Sequence, residues 1–258
     1  MISATGGTRI SFKNFRPDLH ARRCGRLELR RLPPSCRRVC YDDFVLTRKP
    51  LRAVLFDWDG TLLDSFQADA NAYVQMFRAL GISWNSKRLT QHYSPDWHNV
   101  YRAAQLPPES WAEADRLWHR FYRSERPQLQ AGARRVVQTL AQRFPLGLVS
   151  SGSSLRVRSQ VRAFGLESFF AVSIFGDEVP RRKPHPLQLQ LAIRRLGFEP
   201  GSCVYIGDAP EDVQMARRAG VAVVGVLEHS PVPERLRESR PNALIKTISS
   251  LPELFGGS

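Results

Sequence analysis

Two carboxylates stand directly after a short apolar run, an arrangement that suggests a site rather than a surface turn. The run is Ala53 to Phe56, and Asp57, Trp58 and Asp59 follow it. Side chains two residues apart in an extended chain share one side, so Asp57 and Asp59 would lie together with Trp58 turned away. Carboxylates placed together repel each other unless a cation or a proton offsets the charge. An exposed acidic turn would explain Asp59 followed by Gly60, but not an acid at the end of an apolar strand.

Three further polar segments follow apolar runs, and each has a structural explanation as well as a functional one. The first, rich in hydroxyl groups, can hold an anion at a helix N terminus or simply cap that helix. The second, a lysine before prolines, is either a positioned charge or part of a solvated basic loop. The third, a pair of acids, can bind a metal or cap a helix. In chain order the residues are Ser150, Ser151 and Gly152, then Lys183, then Asp208 and Asp212.

Short apolar runs alternate along the chain with helical patterns of roughly 10–15 residues, which predicts βαβ units and a parallel sheet. Ligands bind such open sheets beyond the carboxyl ends of the strands, so the polar segments are expected to meet at one edge. The predicted fold class is α/β, with a Rossmann-like doubly wound parallel sheet as its core. The further apolar runs are 146–149, 169–175, 203–206, 221–227 and 243–245.

A helical stretch separates the first predicted strand from the second. Apolar residues recur with helical spacing from Ala70 to Leu80, and this helix is expected to end at Gly81. We therefore predict a small all-helical cap domain over residues 66–127, inserted into a core domain over residues 50–65 and 128–258. The aromatic stripes of the cap are expected to form its own core and its seam with the main domain.

The net charge of the chain is +14, and over half of this excess lies at its beginning. Residues 1–50 hold 12 Lys and Arg against 4 Asp and Glu, a net charge of +8. Such a segment binds polyanions through counterion release, but aromatic residues are few and no recognition motif is present, so no specific nucleic acid is expected. Residues 1–49 are predicted to be a basic, disordered extension, with a targeting segment or a later start near Val45 as open alternatives. A minor alternative is a zinc site made by His20, Cys24, Cys36 and Cys40.

The composition excludes several classes of protein. With 42% hydrophobic residues the chain can bury a core, so wholesale disorder is excluded. No apolar run approaches the ~18–20 residues that a spanning helix needs, so an integral membrane protein is not expected. The 4 cysteines include no C-x-x-C pair, which disfavours a disulfide scaffold and favours a reducing compartment. We predict a cytoplasmic location.

The combined residue types are those used in phosphoryl transfer. Carboxylates select a hard cation such as Mg²⁺, and a lysine with N–H donors can hold a phosphoryl group. The segment from Asp57 to Leu62 (DWDGTL) resembles the first signature of the haloacid dehalogenase-like hydrolase superfamily. Ser150, Lys183 and the segment from Gly207 to Asp212 match the second, third and fourth signatures in the same order. The likeness covers about residues 50–255, and the helical insertion is similar to that of the phosphoglycolate-phosphatase-like branch with a C1-type cap.

The resemblance implies a Mg²⁺-dependent phosphatase that hydrolyses a small phosphorylated metabolite, such as a phosphoglycolate- or sugar-phosphate-like ester. Asp57 would be the nucleophile that forms an aspartyl-phosphate, and Asp59 the general acid and base. The transferring phosphoryl group would be bound by Lys183 and by the hydroxyl segment of Ser150, Ser151 and Gly152. Mg²⁺ would be held by Asp57, the backbone carbonyl of Asp59 and Asp208, with Asp212 as a nearby support.

The sequence is also compatible with other functions. A phosphomutase or a pyrophosphatase of the same superfamily would use the same motifs, and a polyanion-binding protein would use the basic arm. A phosphonatase is disfavoured, because it would need a cap lysine and Lys87 lies on a solvated stretch. The sequence names neither the substrate nor the oligomeric state. Candidate specificity residues of the cap are His92, Tyr93, Trp97, His98 and Arg102.

Overall fold

The computed structural model describes residues 49–255. The predicted extension over residues 1–49 therefore lies outside the described residues, except for its last position. The alternative zinc site, made by His20, Cys24, Cys36 and Cys40, lies outside them as well.

A parallel sheet of six strands forms the centre of the described chain. Its strand order is β5-β4-β1-β6-β7-β8, and every neighbouring pair is parallel. The eight strands are β1 Ala53–Phe56, β2 Leu63–Asp64, β3 Gln128–Leu129, β4 Leu146–Val149, β5 Phe170–Ile174, β6 Cys203–Gly207, β7 Ala222–Val226 and β8 Ala243–Ile245. Since β1 lies between β4 and β6, with Phe56 opposite both Leu148 and Ile206, the residues that follow these three strands meet at one edge.

Helices cover both faces of this sheet. The helices are α1 Phe66–Ala79, α2 Ser86–Gln91, α3 Trp97–Ala103, α4 Trp111–Tyr122, α5 Ala133–Ala141, α6 Ser154–Ala163, α7 Leu187–Leu196, α8 Pro210–Ala219, α9 Pro233–Glu238 and α10 Leu251–Leu254. Alternate residues of β1 enter opposite cores: Val54 and Phe56 pack with α5 and α6, whereas Ala53 and Leu55 pack with α7 and α8. Burial on both faces explains why this strand is continuously apolar rather than alternating. The predicted α/β, doubly wound fold class is confirmed.

A helical insertion separates the first strand of the sheet from the rest. Helices α1 to α4, here called the cap segment (residues 66–122), lie between the two strands of a short antiparallel pair, β2 and β3. The segment has a hydrophobic cluster of its own, in which Tyr73, Phe77 and Tyr101 are buried. This cluster explains the aromatic spacing in the sequence. The exact domain boundaries at 66 and 127 remain a proposal.

None of the helices formed by residues 49–255 combines the length and the apolarity that crossing a membrane would require.

Candidate active site

The first pair of predicted site residues lies at the carboxyl end of the central strand. The backbone N–H of Asp57 donates to the carbonyl of Ile206 at 2.8 Å, which extends the pairing of β1 with β6 by one residue. Trp58 packs in the hydrophobic core, whereas Asp57 and Asp59 both line one cavity, as the alternation predicts. Gly60 follows with φ +78°, and a Cβ there would collide with the carboxylate of Asp208. A glycine is therefore needed at position 60, where this loop passes close to Asp208.

Three buried carboxylates meet at this edge. One oxygen from each of Asp57, Asp208 and Asp212 lies within 4.8 Å of the others. Thr61 donates to Oδ1 of Asp208 at 2.8 Å, whereas Oδ2 of Asp208 is buried and has no hydrogen-bond partner among residues 49–255. Burial and then the neighbouring carboxylates raise the pKa of Asp208 well above its usual value, and burial raises that of Asp57 to about 7. An unpaired buried oxygen beside mutually repelling acids is the environment that a hard cation would satisfy.

Lys183 bridges two of these acids. Its Nζ lies 2.6 Å from Oδ1 of Asp57 and 2.9 Å from Oδ1 of Asp212, and the side chain is 1% exposed. Burial alone would lower the pKa of Lys183, but the carboxylates of Asp212 and Asp57 raise it above its usual value. The lysine is therefore a fixed positive charge that touches the candidate nucleophile.

Asp212 plays a supporting part in the geometry. Its Oδ2 accepts hydrogen bonds from the backbone N–H groups of Asp208 and Ala209 at 3.1 and 3.0 Å. Its Oδ1 contacts Lys183 and accepts from the hydroxyl of Tyr205 at 3.3 Å. Since both oxygens have partners within the protein, Asp212 is placed to orient the loop and the lysine.

Asp59 forms a two-point ion pair with Arg156, a residue that sequence reasoning missed. Nη1 of Arg156 donates to Oδ1 of Asp59 at 2.8 Å, and Nη2 donates to Oδ2 at 2.7 Å. Burial would raise the pKa of Asp59, but the guanidinium outweighs it and holds this pKa below its usual value. Arg156 lies on α6 with two other arginines, and nothing in the sequence distinguishes it from these exposed neighbours, Arg158 and Arg162.

The hydroxyl segment joins the same site from the end of β4. Ser150 is buried, and its Oγ accepts a hydrogen bond from the backbone N–H of Gly152 at 3.0 Å. The hydroxyl of Ser151 is buried without a hydrogen-bond partner in the described part of the chain. The first turn of α6 starts just beyond, and the N–H of its first residue, Ser154, is already bound to Asp177 at 2.9 Å. The hydroxyls of Ser150 and Ser151 are therefore the groups that this segment offers to an anion.

A cavity of about 330 Å³ lies over these residues, between the sheet edge and the cap segment. It is lined by six of the predicted site residues, namely Asp57, Asp59, Ser150, Ser151, Gly152 and Lys183. Of the predicted specificity residues, Tyr93 and Trp97 line the cavity, whereas His98 stacks on Trp111 at 4.5 Å. His92 and Arg102 likewise pack on other rings, those of Trp84 and Trp111.

Comparison with known families agrees with this geometry. A family model described as haloacid dehalogenase-like hydrolase matches residues 54–226. The chain belongs to the haloacid dehalogenase-like hydrolase family. The prediction of an enzyme of this family is confirmed. Its curated relatives include phosphatases.

Two curated relatives match most of the chain. Phosphoglycolate phosphatase of Escherichia coli strain K12 is 29% identical over 234 residues, covering 80% of this chain and 93% of that protein. Pyrophosphatase PpaX of Bacillus pumilus is 27% identical over 222 residues, covering 82% of this chain and 99% of that protein. The resemblance to the phosphoglycolate-phosphatase-like branch is thereby confirmed.

Solved structures of family members share the fold. CbbY from Rhodobacter sphaeroides, in complex with phosphate, matches with a TM-score of 0.66 and 22% identity, covering 78% of this chain and 96% of that one. A haloacid dehalogenase-like hydrolase from Streptococcus pneumoniae matches with a TM-score of 0.70 and 21% identity, covering 80% of this chain and 98% of that one. At these identities the likeness concerns the fold alone.

Proposed function

We propose that this hydrolase is a Mg²⁺-dependent phosphatase that cleaves a small phosphorylated metabolite through an aspartyl-phosphate on Asp57. The observation that carries the proposal is the position of the Asp57 carboxylate. One of its oxygens is held by Lys183 at 2.6 Å, and the residue lines the cavity beside the hydroxyl segment. A carboxylate that is fixed in this way can attack phosphorus while the lysine neutralises the phosphoryl oxygens.

The residues of the chain divide the reaction into two displacements. In the first, a carboxylate oxygen of Asp57 bonds to phosphorus while the bond from phosphorus to the ester oxygen breaks. Asp59 gives the leaving oxygen its proton, and in the second displacement it takes a proton from the attacking water. Ser150, Ser151 and Lys183 bind the phosphoryl oxygens. The second displacement releases inorganic phosphate and restores the Asp57 carboxylate.

The acidic cluster fits the predicted metal. Mg²⁺ would be held by Asp57, the free Oδ2 of Asp208 and the backbone carbonyl of Asp59, and it would supply positive charge to the phosphoryl group. Asp212, whose oxygens are occupied by the protein, would support the site without binding the ion directly.

The experiment that tests the proposal is an assay of phosphate release by the purified full chain, with Mg²⁺ and a panel of small phosphate esters. Asp57→Asn should lower turnover at least roughly a thousandfold, because an amide cannot form the acyl-phosphate. Asp64→Asn is a matched control, since Asp64 lies seven positions further on and its side chain is 41% exposed, paired with His229. Unchanged turnover by a folded Asp57→Asn protein would refute the assignment of the nucleophile.

Inorganic pyrophosphate belongs in the same panel. One curated relative is named a pyrophosphatase and matches as much of the chain as the named phosphatase does. Faster release from pyrophosphate than from every ester would favour this second activity.

The predicted cytoplasmic location also remains a proposal, which fractionation of the host cells would test.

A further inference from the structure

Aromatic side chains make up half of the cap residues that line the cavity. They are Tyr73, Tyr93, Trp97, Tyr101 and Trp118. The phosphoryl group binds at the sheet edge, so this aromatic side faces the leaving group of the ester. Flat apolar surfaces of this kind bind planar groups by stacking and edge-to-face contact.

The charges of the cavity are already paired at its catalytic end. Lys183 contacts Asp57 and Asp212, and Arg156 is occupied by both oxygens of Asp59. These pairs hold their positive charges at the sheet edge. They leave the rest of the cavity to the remaining ionisable groups.

The remaining groups are mainly acidic. Among residues 49–255, three further carboxyl groups line the cavity, those of Asp69, Asp115 and Asp177, against the single further guanidinium of Arg182. Asp115 accepts a hydrogen bond from Tyr101 at 2.8 Å, and Asp177 accepts two from Ser154 at 2.9 Å. Burial raises the pKa of Asp69 to about 7, so its carboxyl group is mostly ionised at about pH 8.

Arg182 already makes several contacts within the protein, so its charge is only partly available to a ligand. Its Nε donates to the carbonyl of Gly176 at 3.1 Å, and its guanidinium lies over the ring of Trp97, 3.9 Å from the centroid. Its Nη1 also lies 4.0 Å from a carboxylate oxygen of Asp96. The other basic side chain, His119, has its pKa lowered by burial and by Arg156, so it is neutral at about pH 8.

We infer that the leaving group of the substrate is planar or aromatic and carries no negative charge, so that hydroxy-acid phosphates are poor substrates. The inference rests on the proposed phosphatase function. A carboxylate in this cavity would face the ionised Asp69 and two further carboxyl groups, against one shared guanidinium. In a partly desolvated space the repulsion is strong. An aromatic ring would instead stack against the five rings. The indole N–H of Trp97 is buried without a partner among the described residues, and a neutral acceptor on the leaving group would satisfy it.

The test compares two esters of primary alcohols, benzyl phosphate and phosphoglycolate, at about pH 8 with Mg²⁺ and the full chain. We expect kcat/KM to be at least roughly tenfold higher for benzyl phosphate, the scale on which pocket contacts discriminate between substrates. Equal or faster hydrolysis of phosphoglycolate would overturn the inference while leaving the phosphatase function intact. Failure to hydrolyse any ester, with no phosphoenzyme formed, would overturn the proposed function instead.

Binding provides a second measurement that does not depend on turnover. Calorimetric titration of Asp57→Asn with the same two esters should show tighter binding of benzyl phosphate. Tighter binding of phosphoglycolate would overturn the inference even in a protein that turns over neither compound.

A charge variant directly tests the role of the acidic wall, meaning the carboxyl groups of Asp69, Asp115 and Asp177 that line the cavity. Asp69→Asn should raise kcat/KM for phosphoglycolate relative to benzyl phosphate by roughly three- to tenfold, because it removes one like charge. Glu113→Gln removes an equal charge from an exposed position on α4 outside the cavity, and it should leave the ratio unchanged. An unchanged ratio in a folded Asp69→Asn protein, or equal changes in both variants, would contradict the role of the cavity charge.

Discussion

Arg156 binds Asp59 through two parallel hydrogen bonds, of 2.8 and 2.7 Å, at the centre of the candidate active site. The guanidinium also lies over the rings of Trp118 and Tyr122, both on α4 of the cap segment. Asp59 is thus held ionised by a residue that the cap packs against. A proposed proton donor must be free and protonated, so this pair has to loosen before the leaving group can receive a proton.

The pair should stabilise the fold. Arg156→Met removes the charge but keeps an apolar stem, and it leaves Asp59 without its partner. Since the side chains are 13% and 27% exposed, we expect a loss of about 1–3 kcal/mol, between the ranges for exposed and buried pairs. Urea unfolding at pH 7 measures the loss. Arg158→Met on the same helix removes an exposed pair with Glu178 and should cost no more than about 0.5 kcal/mol.

The loss of unfolding free energy caused by Arg156→Met should depend on pH. The pKa of Asp59 is lowered in the folded protein, so the stabilisation is present above its unfolded pKa and disappears as pH falls through the folded pKa. The difference between wild type and Arg156→Met should therefore narrow as the pH is lowered from about 6 towards 3. A constant difference across this range would show that the arginine stabilises the fold by packing rather than by charge.

Asp59→Asn should separate the two chemical steps. The amide can neither donate the proton to the leaving oxygen nor accept one from water, so turnover should fall by roughly 10²–10⁴. A good leaving group, such as a nitrophenol, still departs without a proton, and the aspartyl-phosphate should then accumulate on Asp57. Mass spectrometry after acid quenching detects this species. Its absence, with turnover near the wild-type rate, would remove Asp59 from the mechanism.

The two acids after β6 should differ in their effect on the metal. Asp208→Asn alters the side chain with the unpaired buried oxygen, so the Mg²⁺ concentration for half-maximal activity should rise more than ~100-fold. Asp212→Asn loosens only the support, with a smaller increase of about 10–100-fold. Titration of activity with Mg²⁺ checks both values. The reverse order would mean that Asp212 is the direct ligand.

Mg²⁺ should stabilise the protein more at high pH. Burial raises the pKa of Asp57 to about 7 and that of Asp208 well above its usual value, so each group favours folding when protonated and opposes it as pH rises through this range. The cation must displace these protons at low pH, whereas at pH 8 it relieves the repulsion between carboxylates. The increase in thermal midpoint on adding Mg²⁺ should be larger at pH 8 than at pH 5. Asp208→Asn should reduce this difference, and equal shifts at both pH values would contradict the cation site.

The sheet and the ends of its strands could be predicted from local pattern. Strands buried on both faces are continuously apolar, and a polar residue directly after such a run marks a carboxyl end. The strand predicted over residues 203–206 is β6, Cys203–Gly207. The helical spacing from Ala70 to Leu80 falls on α1, Phe66–Ala79, and Leu80 directly follows the end of that helix. Because parallel strands align their carboxyl ends, Asp57, Ser150 and Asp208 could be expected at one edge from the sequence alone.

The cap cavity shows where local pattern stops being informative. Five cap residues were equal candidates for specificity, and only two of them, Tyr93 and Trp97, line the cavity. The acidic wall includes Asp69, which lies on α1 and carries no sequence signal that separates it from a surface acid. Which face of a cap helix lies over the site depends on how the helices pack together, and helical spacing does not specify it.

The sequence by itself determined the order of strands and helices, the family and the acids at the sheet edge, because each depends on residues close together in the chain. Only the tertiary structure decided the partners of those acids. Arg156 is 97 positions from Asp59, and Lys183 meets Asp57 and Asp212 from a loop between them. A long-range ion pair leaves no periodic pattern in the sequence. A basic chain has many arginines, and only the fold brings one of them within 2.8 Å of Asp59.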